Sequence, residues 1–234
     1  MQDIDIQITD AIMEKPTVFR ADGTVFYIYP MTLGKMFLVQ RIVEGISLDV
    51  RKGFVEVELL RIVKENRDAC LELLSYMTAR NDYYAVFDQE AFDKRCKQLS
   101  AIDDGDIATL LMLVLTMEKT EAYMKHLGID IEQKNMRKVM KVKEKSDKNS
   151  YTFGGVSMFG SLIDSAMERY SLTKRQVVWE IDYTSLRLLL ADRTNSVYVT
   201  DEERKKIHIP KDRTRVKADD KEAMKKIIAS QSWD

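Results

Sequence analysis

The 234 residues carry 37 basic and 38 acidic side chains, so the net charge of −1 provides no general attraction to nucleic acid or to an anionic membrane. The strongly apolar run at 110–115 is far shorter than the roughly 20 residues that cross a bilayer, and the acidic N-terminus resembles neither a signal nor a transit peptide. With 3 prolines and 9 glycines among 45% apolar residues, the chain is expected to be a cytoplasmic globular protein with long helices.

The N-terminal segment is predicted to form a small antiparallel sheet. Ile4, Ile6 and Ile8 alternate with polar residues, which is the period of a strand. Two β-prone runs within 17–30 then flank an Asp-Gly pair, the dipeptide that supplies the positive φ values of a tight hairpin. Pro30 ends the second run because proline cannot donate to a ladder. Two or three strands are expected in all.

The pattern then becomes helical as far as Gly128. Capping residues and three- or four-residue apolar steps predict helices at 32–43, 55–77, 88–99 and 107–127. Thr32 is the expected N-cap of the first helix and Gly45 its stop, while the acidic group at 103–106 suits the start of the last. Cys70 and Cys96 belong to no metal or redox motif and are expected to be reduced thiols at or near a core.

A basic stretch of low apolar content separates this part from the C-terminal helices. Residues 129–155 are predicted to be a linker or a helix extension, followed by a helix at 159–170. Capping signals at Thr173 and Asp182 then predict helices that end near Ile181 and Ala191. The expected organisation is an α+β domain at 1–128, the linker, a helical subdomain at 156–200, and a charged tail at 201–234 with a capping box at 200–203 and a short helix at 219–229.

No catalytic or cofactor motif can be identified. The two histidines, His126 and His208, lie far apart and lack the companion ligands of a zinc site. The glycines at 155 and 160 lack the lysine of a phosphate loop, and the acids at 103–106 do not follow the register of a calcium loop. We therefore expect no enzyme activity, no cofactor and no metal, with His126 complementing a helix C-terminus.

The basic residues within 134–148 admit two interpretations. Seven positive charges could contact nucleic acid or an acidic partner, since phosphate contacts supply non-specific affinity. Base stacking needs interleaved aromatic residues, however, and this stretch has none. A solvated segment is favoured, and nucleic-acid binding is not expected of the chain.

Two stretches resemble one protein family. Residues 161–203, SLIDSAMERYSLTKRQVVWEIDYTSLRLLLADRTNSVYVTDEE, are similar to C-terminal segments of tail assembly chaperones of bacteriophages, particularly those of Bacteroidetes-type hosts. DGTVFYIYPMTLGK at 22–35 is similar to the N-terminal hairpin and first helix of such chaperones. The similarity covers about 60 residues and consists of packing residues. It implies a mostly helical α+β fold with a small N-terminal hairpin and a C-terminal helical subdomain.

The resemblance also implies a function. Such chaperones coat the hydrophobic helices of the tape measure protein and recruit tail tube subunits in the infected host's cytoplasm. The 13 methionines suit adaptable apolar contacts. Two alternatives stay open, a structural virion protein of the tail or head-tail connector and a nucleic-acid-binding regulator, as does homo-oligomerisation. The expected partner contacts are apolar and aromatic side chains of the C-terminal helices: Met158, Met167, Trp179, Tyr183, Leu186 and Leu189.

Overall fold

A computed structural model of the chain describes residues 3–21, 23–46, 54–146, 157–192 and 196–207. Within these ranges the chain forms one two-stranded antiparallel hairpin and thirteen helical segments, which confirms the predicted mostly helical α+β class. The predicted helix at 219–229 and residues 147–156 of the predicted linker lie outside the described residues. No helix in the described ranges is both long and apolar enough to cross a bilayer.

The predicted N-terminal strand is wrong, because Asp3–Ile12 forms a helix, α1. Ile4 and Ile8 are one turn apart in a helix as well as two strand periods apart, so their spacing is ambiguous. In the helix, Ile8 is buried in a core cluster while Ile6 is exposed. The spacing of the isoleucines alone does not decide between strand and helix. The neighbouring helices decide it, because they bury Ile8 and leave Ile6 exposed.

The predicted hairpin is confirmed. Strands β1 (Thr17–Ala21) and β2 (Thr24–Ile28) are paired antiparallel, with Thr17 opposite Ile28. Gly23 has a φ of +70°, the conformation that makes glycine favourable in a tight turn. Phe19 and Phe26 stack across the strands with ring centroids 4.9 Å apart. This pair closes one face of the hairpin over the main core.

Seven helices follow the hairpin in the N-terminal half. They are α2 (Leu33–Gly45), α3 (Val55–Glu65), α4 (Arg67–Thr78), α5 (Tyr83–Phe87), α6 (Gln89–Leu99), α7 (Asp104–Thr116) and α8 (Thr120–His126). The predicted N-caps of α2, α6 and α7 are confirmed, since the side chains of Thr32, Asp88 and Asp103 each accept a backbone N–H of the first turn. Of the acids at 103–106, Asp103 caps α7, while Asp104 forms an ion pair with Arg67 of α4.

Two predicted long helices are each divided in the structure. The helix predicted at 55–77 is interrupted at Asn66. The side chain of the next residue, Arg67, donates hydrogen bonds to the carbonyl oxygens of Ser100 and Ile102. The helix expected at 107–127 breaks after Thr116, and the Glu118 side chain accepts the Thr120 N–H at the start of α8. Apolar periodicity continues across both breaks, so the pattern could not reveal them.

The C-terminal half consists of α9 (Ile129–Ser146), α10 (Met158–Tyr170), a π-helix (Gln176–Glu180), α11 (Tyr183–Ala191) and α12 (Asp201–Ile207). The basic stretch is therefore helical through Ser146. Both predicted capping boxes, at Thr173–Gln176 and Thr200–Glu203, form reciprocal hydrogen bonds. Asp182 caps α11 as expected.

Three apolar clusters hold these elements together. The largest joins the inner face of the hairpin to α2, α3, α4 and α7. A second joins α1, α8 and α11, and a third joins Leu33 of α2 to α10, the π-helix and α11. The Tyr183 N–H also donates to the Met31 carbonyl oxygen at 2.7 Å. The C-terminal helices thus pack on N-terminal elements, while the division into separate domains stays a prediction.

Both cysteines carry free thiols, with Cys70 buried and Cys96 partly buried, as predicted. Burial raises the pKa of the Cys70 thiol to about 11, so this group stays protonated at neutral pH.

Candidate protein-binding surface

The indole ring of Trp179 lies on the backbone of α2 at Gly34. A Cβ atom at position 34 would be 2.4 Å from the Cε3 and Cζ3 atoms of the ring, closer than any normal contact. Glycine is therefore required for the π-helix to approach α2. This contact connects the C-terminal stretch 161–203 to the N-terminal stretch 22–35.

The outer side of Trp179 is covered by two aromatic residues of α5. The ring centroids of Tyr83 and Phe87 lie 5.8 and 5.2 Å from that of Trp179, in edge-to-face arrangements. Tyr83 is 41% exposed and Phe87 46%, while Trp179 itself is partly buried. Edge-to-face aromatic pairs add about 0.5–1.5 kcal/mol beyond area burial. The Trp179 ring is therefore held against α2 on one side, while the Tyr83 and Phe87 rings on its other side remain exposed to solvent.

Tyr84 and Arg175 extend this cluster. Tyr84 is 66% exposed, its ring centroid lies 5.5 Å from that of Tyr83, and the Arg175 guanidinium lies 5.3 Å from the Tyr84 ring centre. We call Tyr83, Tyr84, Phe87, Arg175 and Trp179 the aromatic surface. Tryptophan, tyrosine and arginine are the residues that contribute most often to binding hot spots. An exposed, preorganised group of them is a candidate protein-binding surface.

The six residues predicted to contact a partner have different environments. Tyr183 and Leu186 are buried, and the Tyr183 hydroxyl accepts a hydrogen bond from Arg187 at 2.6 Å, so neither offers a side chain to a partner in this arrangement. Leu189 and Met167 are exposed, and the Met158 side chain lies outside what is described. Trp179 alone of the six belongs to the aromatic surface.

Sequence reasoning did not identify the α5 residues of this surface. The segment NDYYAVF contains an Asp82 cap, whose side chain accepts the N–H groups of Tyr84 and Ala85. Five residues are too few for a periodicity to appear, although a cluster of three aromatic residues next to a cap was a usable signal.

A buried lysine follows Gly34 on the same helix. The Lys35 side chain is fully buried, and its Nζ donates to the Ala79 carbonyl oxygen at 2.6 Å and lies 5.4 Å from the centre of the Tyr29 ring. Burial, assisted by the positive charge of Arg95, lowers the pKa of Lys35 to about 7. The side chain links α2 to the end of α4, and its charge is poorly accommodated there.

A carboxyl pair lies where α1 meets the N-cap of α11. The Asp182 residue is 1% exposed, and its Oδ1 accepts the Ser185 N–H at 2.9 Å. Glu14, with an unusual φ of +51°, places its carboxyl group beside Asp182. Burial raises the pKa of both groups, and the Asp182 charge raises that of Glu14 further.

This pair predicts a pH dependence of stability. A raised folded-state pKa means that the folded protein binds protons more tightly than the unfolded chain. The stabilising contribution of the pair is therefore fully present below pH about 4, the pKa of carboxyl groups in the unfolded chain. It is lost as the pH rises through the raised pKa values of the folded state. Asp182→Asn keeps a good N-cap and removes the repulsion. We expect urea unfolding between pH 4 and 7 to show a smaller fall in stability for this variant than for the wild type.

The control for that experiment is Asp88→Asn, which changes an exposed N-cap of α6 in the same way. It should leave the pH profile parallel to that of the wild type. Identical pH slopes for the wild type and Asp182→Asn would show that the two carboxyl groups do not interact as described.

No group of three or more metal-ligating side chains occurs in the described ranges. His126, at the end of α8 as predicted, contacts the Asp5 carboxylate through Nε2 at 2.8 Å and so joins α8 to α1. No protein family, curated protein or solved structure matches the chain. Function must therefore be inferred from the surface and from the motifs of the sequence.

Proposed function

We propose that this chain is a non-enzymatic phage tail assembly chaperone that binds an apolar helix of the tape measure protein. The observation that supports this most directly is the aromatic surface, where Tyr83, Tyr84 and Phe87 remain exposed around the ring of Trp179. Trp179 lies in the stretch that resembles C-terminal segments of such chaperones. Promotion of tail tube assembly, in the infected host's cytoplasm, is part of the same proposal.

The composition of the surface specifies the kind of partner. Three exposed aromatic rings can accept apolar side chains at i, i+3, i+4 and i+7 of a docking helix. Arg175 brings the one positive charge of the surface, and it is already engaged by Glu180 at 3.5 Å and by the Tyr84 ring. Binding should therefore depend on apolar burial and should persist at high salt.

Co-expression with the tape measure protein encoded beside this chain tests the proposal. We expect the tape measure protein to become soluble and to co-purify at about 0.5 M salt, where exposed ion pairs are screened. The double variant Tyr84→Ser and Phe87→Ser should reduce co-purification at least about tenfold, as expected when hot-spot rings are removed. These side chains are exposed, so the fold should be retained.

The matched control is Tyr198→Ser, because Tyr198 is also a highly exposed aromatic residue but contacts Lys143 of α9. It should bind as the wild type does. A tape measure protein that is equally soluble with and without this chain, and that does not co-purify, would contradict the chaperone proposal. Presence of the chain in purified virions would then favour a structural virion protein.

A further inference from the structure

Strand β1 has a free edge, because in the part of the chain that the structure describes it is paired with β2 alone. Ala21 lies opposite Thr24, so the turn has two residues and its closing pair is hydrogen-bonded. Hydrogen-bonded and non-hydrogen-bonded pairs alternate along an antiparallel ladder. The backbone N–H and C=O groups of Val18 and Arg20 therefore point away from β2, along the free edge.

These outward groups lack hydrogen-bond partners. No residue in the described ranges bonds to the outward N–H or C=O group of Val18 or of Arg20. The other edge of the hairpin differs, since the Tyr29 N–H just beyond β2 donates to the Met77 carbonyl oxygen at 3.2 Å and α4 lies beside that edge. An unpaired edge is a template for pairing with another strand. The β1 edge can thus accept one further strand.

The solvent-facing side of the hairpin is apolar next to this edge. Val18, Val25 and Tyr27 are exposed there, while Phe26 and Ile28 on the opposite face are buried in the main core. The solvated face of an antiparallel sheet normally carries polar side chains. Exposed apolar side chains beside an open edge are instead the pattern of a strand that pairs with another chain.

We propose that β1 pairs with β1 of a second copy of this chain, antiparallel and centred on Phe19, to form a four-stranded sheet. In this register Val18 of each copy is opposite Arg20 of the other. Each of these two pairs then exchanges two hydrogen bonds, which satisfies all the outward groups of both residues. The inference depends only on the hairpin and is independent of the proposed function.

The geometry of the edge favours a second copy as the occupant. A two-fold axis through Phe19 makes the contact isologous, so the assembly closes at two copies. On the outer face the aliphatic stem of Arg20 can lie along Val18 of the other copy. The five residues of β1 provide less contact than the about 1,200–2,000 Å² of a stable interface. The dimer should therefore be weak and concentration-dependent.

Sedimentation equilibrium of the full chain at concentrations up to about 500 µM can detect such a weak dimer. We expect the wild type to show a monomer–dimer equilibrium. Val18→Pro removes the outward N–H without removing a bond of the β1–β2 ladder, which is where an edge strand tolerates proline. Because each copy loses an intermolecular hydrogen bond, its dissociation constant should rise at least about tenfold.

A charge at position 18 tests the register. Val18→Glu places a carboxylate opposite Arg20 of the other copy, and opposite charges directly across two strands attract. The dissociation constant should fall about threefold to tenfold in this variant and rise by a similar factor in Val18→Lys, where like charges meet. The Val18 side chain is exposed in the monomer, so both variants should fold.

Val57→Glu is the control, since it changes another exposed valine, on α3. It should dimerise as the wild type does, and circular dichroism should give the same Tm for all the variants as for the wild type. A wild type that is monomeric at about 500 µM, or shifts of Val18→Glu and Val18→Lys in the same direction, would overturn the proposal. A monomeric chain whose Val18→Pro variant no longer co-purifies with the tape measure protein would assign the edge to a strand of that partner instead.

Discussion

Lys35→Met should make the protein more stable at pH 6 by about 1–4 kcal/mol, the range found when buried ion pairs are replaced by apolar side chains of similar volume. Lys35 is fully buried, with one carbonyl acceptor and one aromatic ring near its ammonium group. Methionine fits the same volume without a charge. The variant loses the hydrogen bond to Ala79, which costs about 1–3 kcal/mol and is included in this balance.

The same variant should remove a pH dependence. Because the pKa of Lys35 is about 7 in the folded state and 10.5 when unfolded, the unfolded chain binds more protons between these values. Wild-type stability should therefore rise with pH across this window, by about 5 kcal/mol at most. Urea unfolding between pH 6 and 9.5 should show this rise for the wild type and a weaker one for Lys35→Met.

Lys141→Met is the control, since this lysine is exposed on α9. Its pH profile should run parallel to that of the wild type. A Lys35→Met profile that is also parallel would contradict the lowered pKa of the buried Lys35 side chain.

Gly34→Ala should destabilise the protein by about 1–3 kcal/mol, although alanine is intrinsically the better helix former by about 1 kcal/mol. The new methyl group would overlap the Trp179 ring, which cannot move outward without disturbing its contacts with Tyr83 and Phe87. Trp179→Ala alone should cost stability near the lower end of the about 3–5 kcal/mol found for core tryptophans, because this ring is only partly buried.

The double variant distinguishes this explanation from a general helix effect. Without the indole ring the methyl group added at position 34 has space, so Gly34→Ala should cost much less in the Trp179→Ala background. A coupling of about 0.5–3 kcal/mol is typical of residues in direct contact. Unfolding followed by circular dichroism gives all four stabilities without relying on tryptophan fluorescence.

Gly45→Ala serves as the control on the same helix, because a Cβ atom there would meet nothing within 4 Å. It should be neutral or stabilising by up to about 1 kcal/mol. Additive effects of Gly34→Ala and Trp179→Ala would show that the ring does not lie on the α2 backbone.

Local signals in the sequence determined the hairpin and several helix starts. An Asp-Gly pair between β-prone runs predicted β1 and β2, and side-chain caps at Thr32, Asp88 and Asp182 predicted the starts of α2, α6 and α11. These predictions succeed because a turn or a cap is formed by residues within about four positions of one another. They need no information about distant parts of the chain.

Tertiary structure alone decided the features that carry the proposals. The helical state of Asp3–Ile12 depends on burial of Ile8 against α8 and α11, and the breaks at Asn66 and after Thr116 follow the packing of neighbouring helices. The contact of Trp179 with Gly34 joins residues far apart in sequence. Periodicity indicates which face of a segment is apolar but not which distant segment covers that face. The packing of the π-helix on α2 and α5, which creates the aromatic surface, was therefore decided by the tertiary structure.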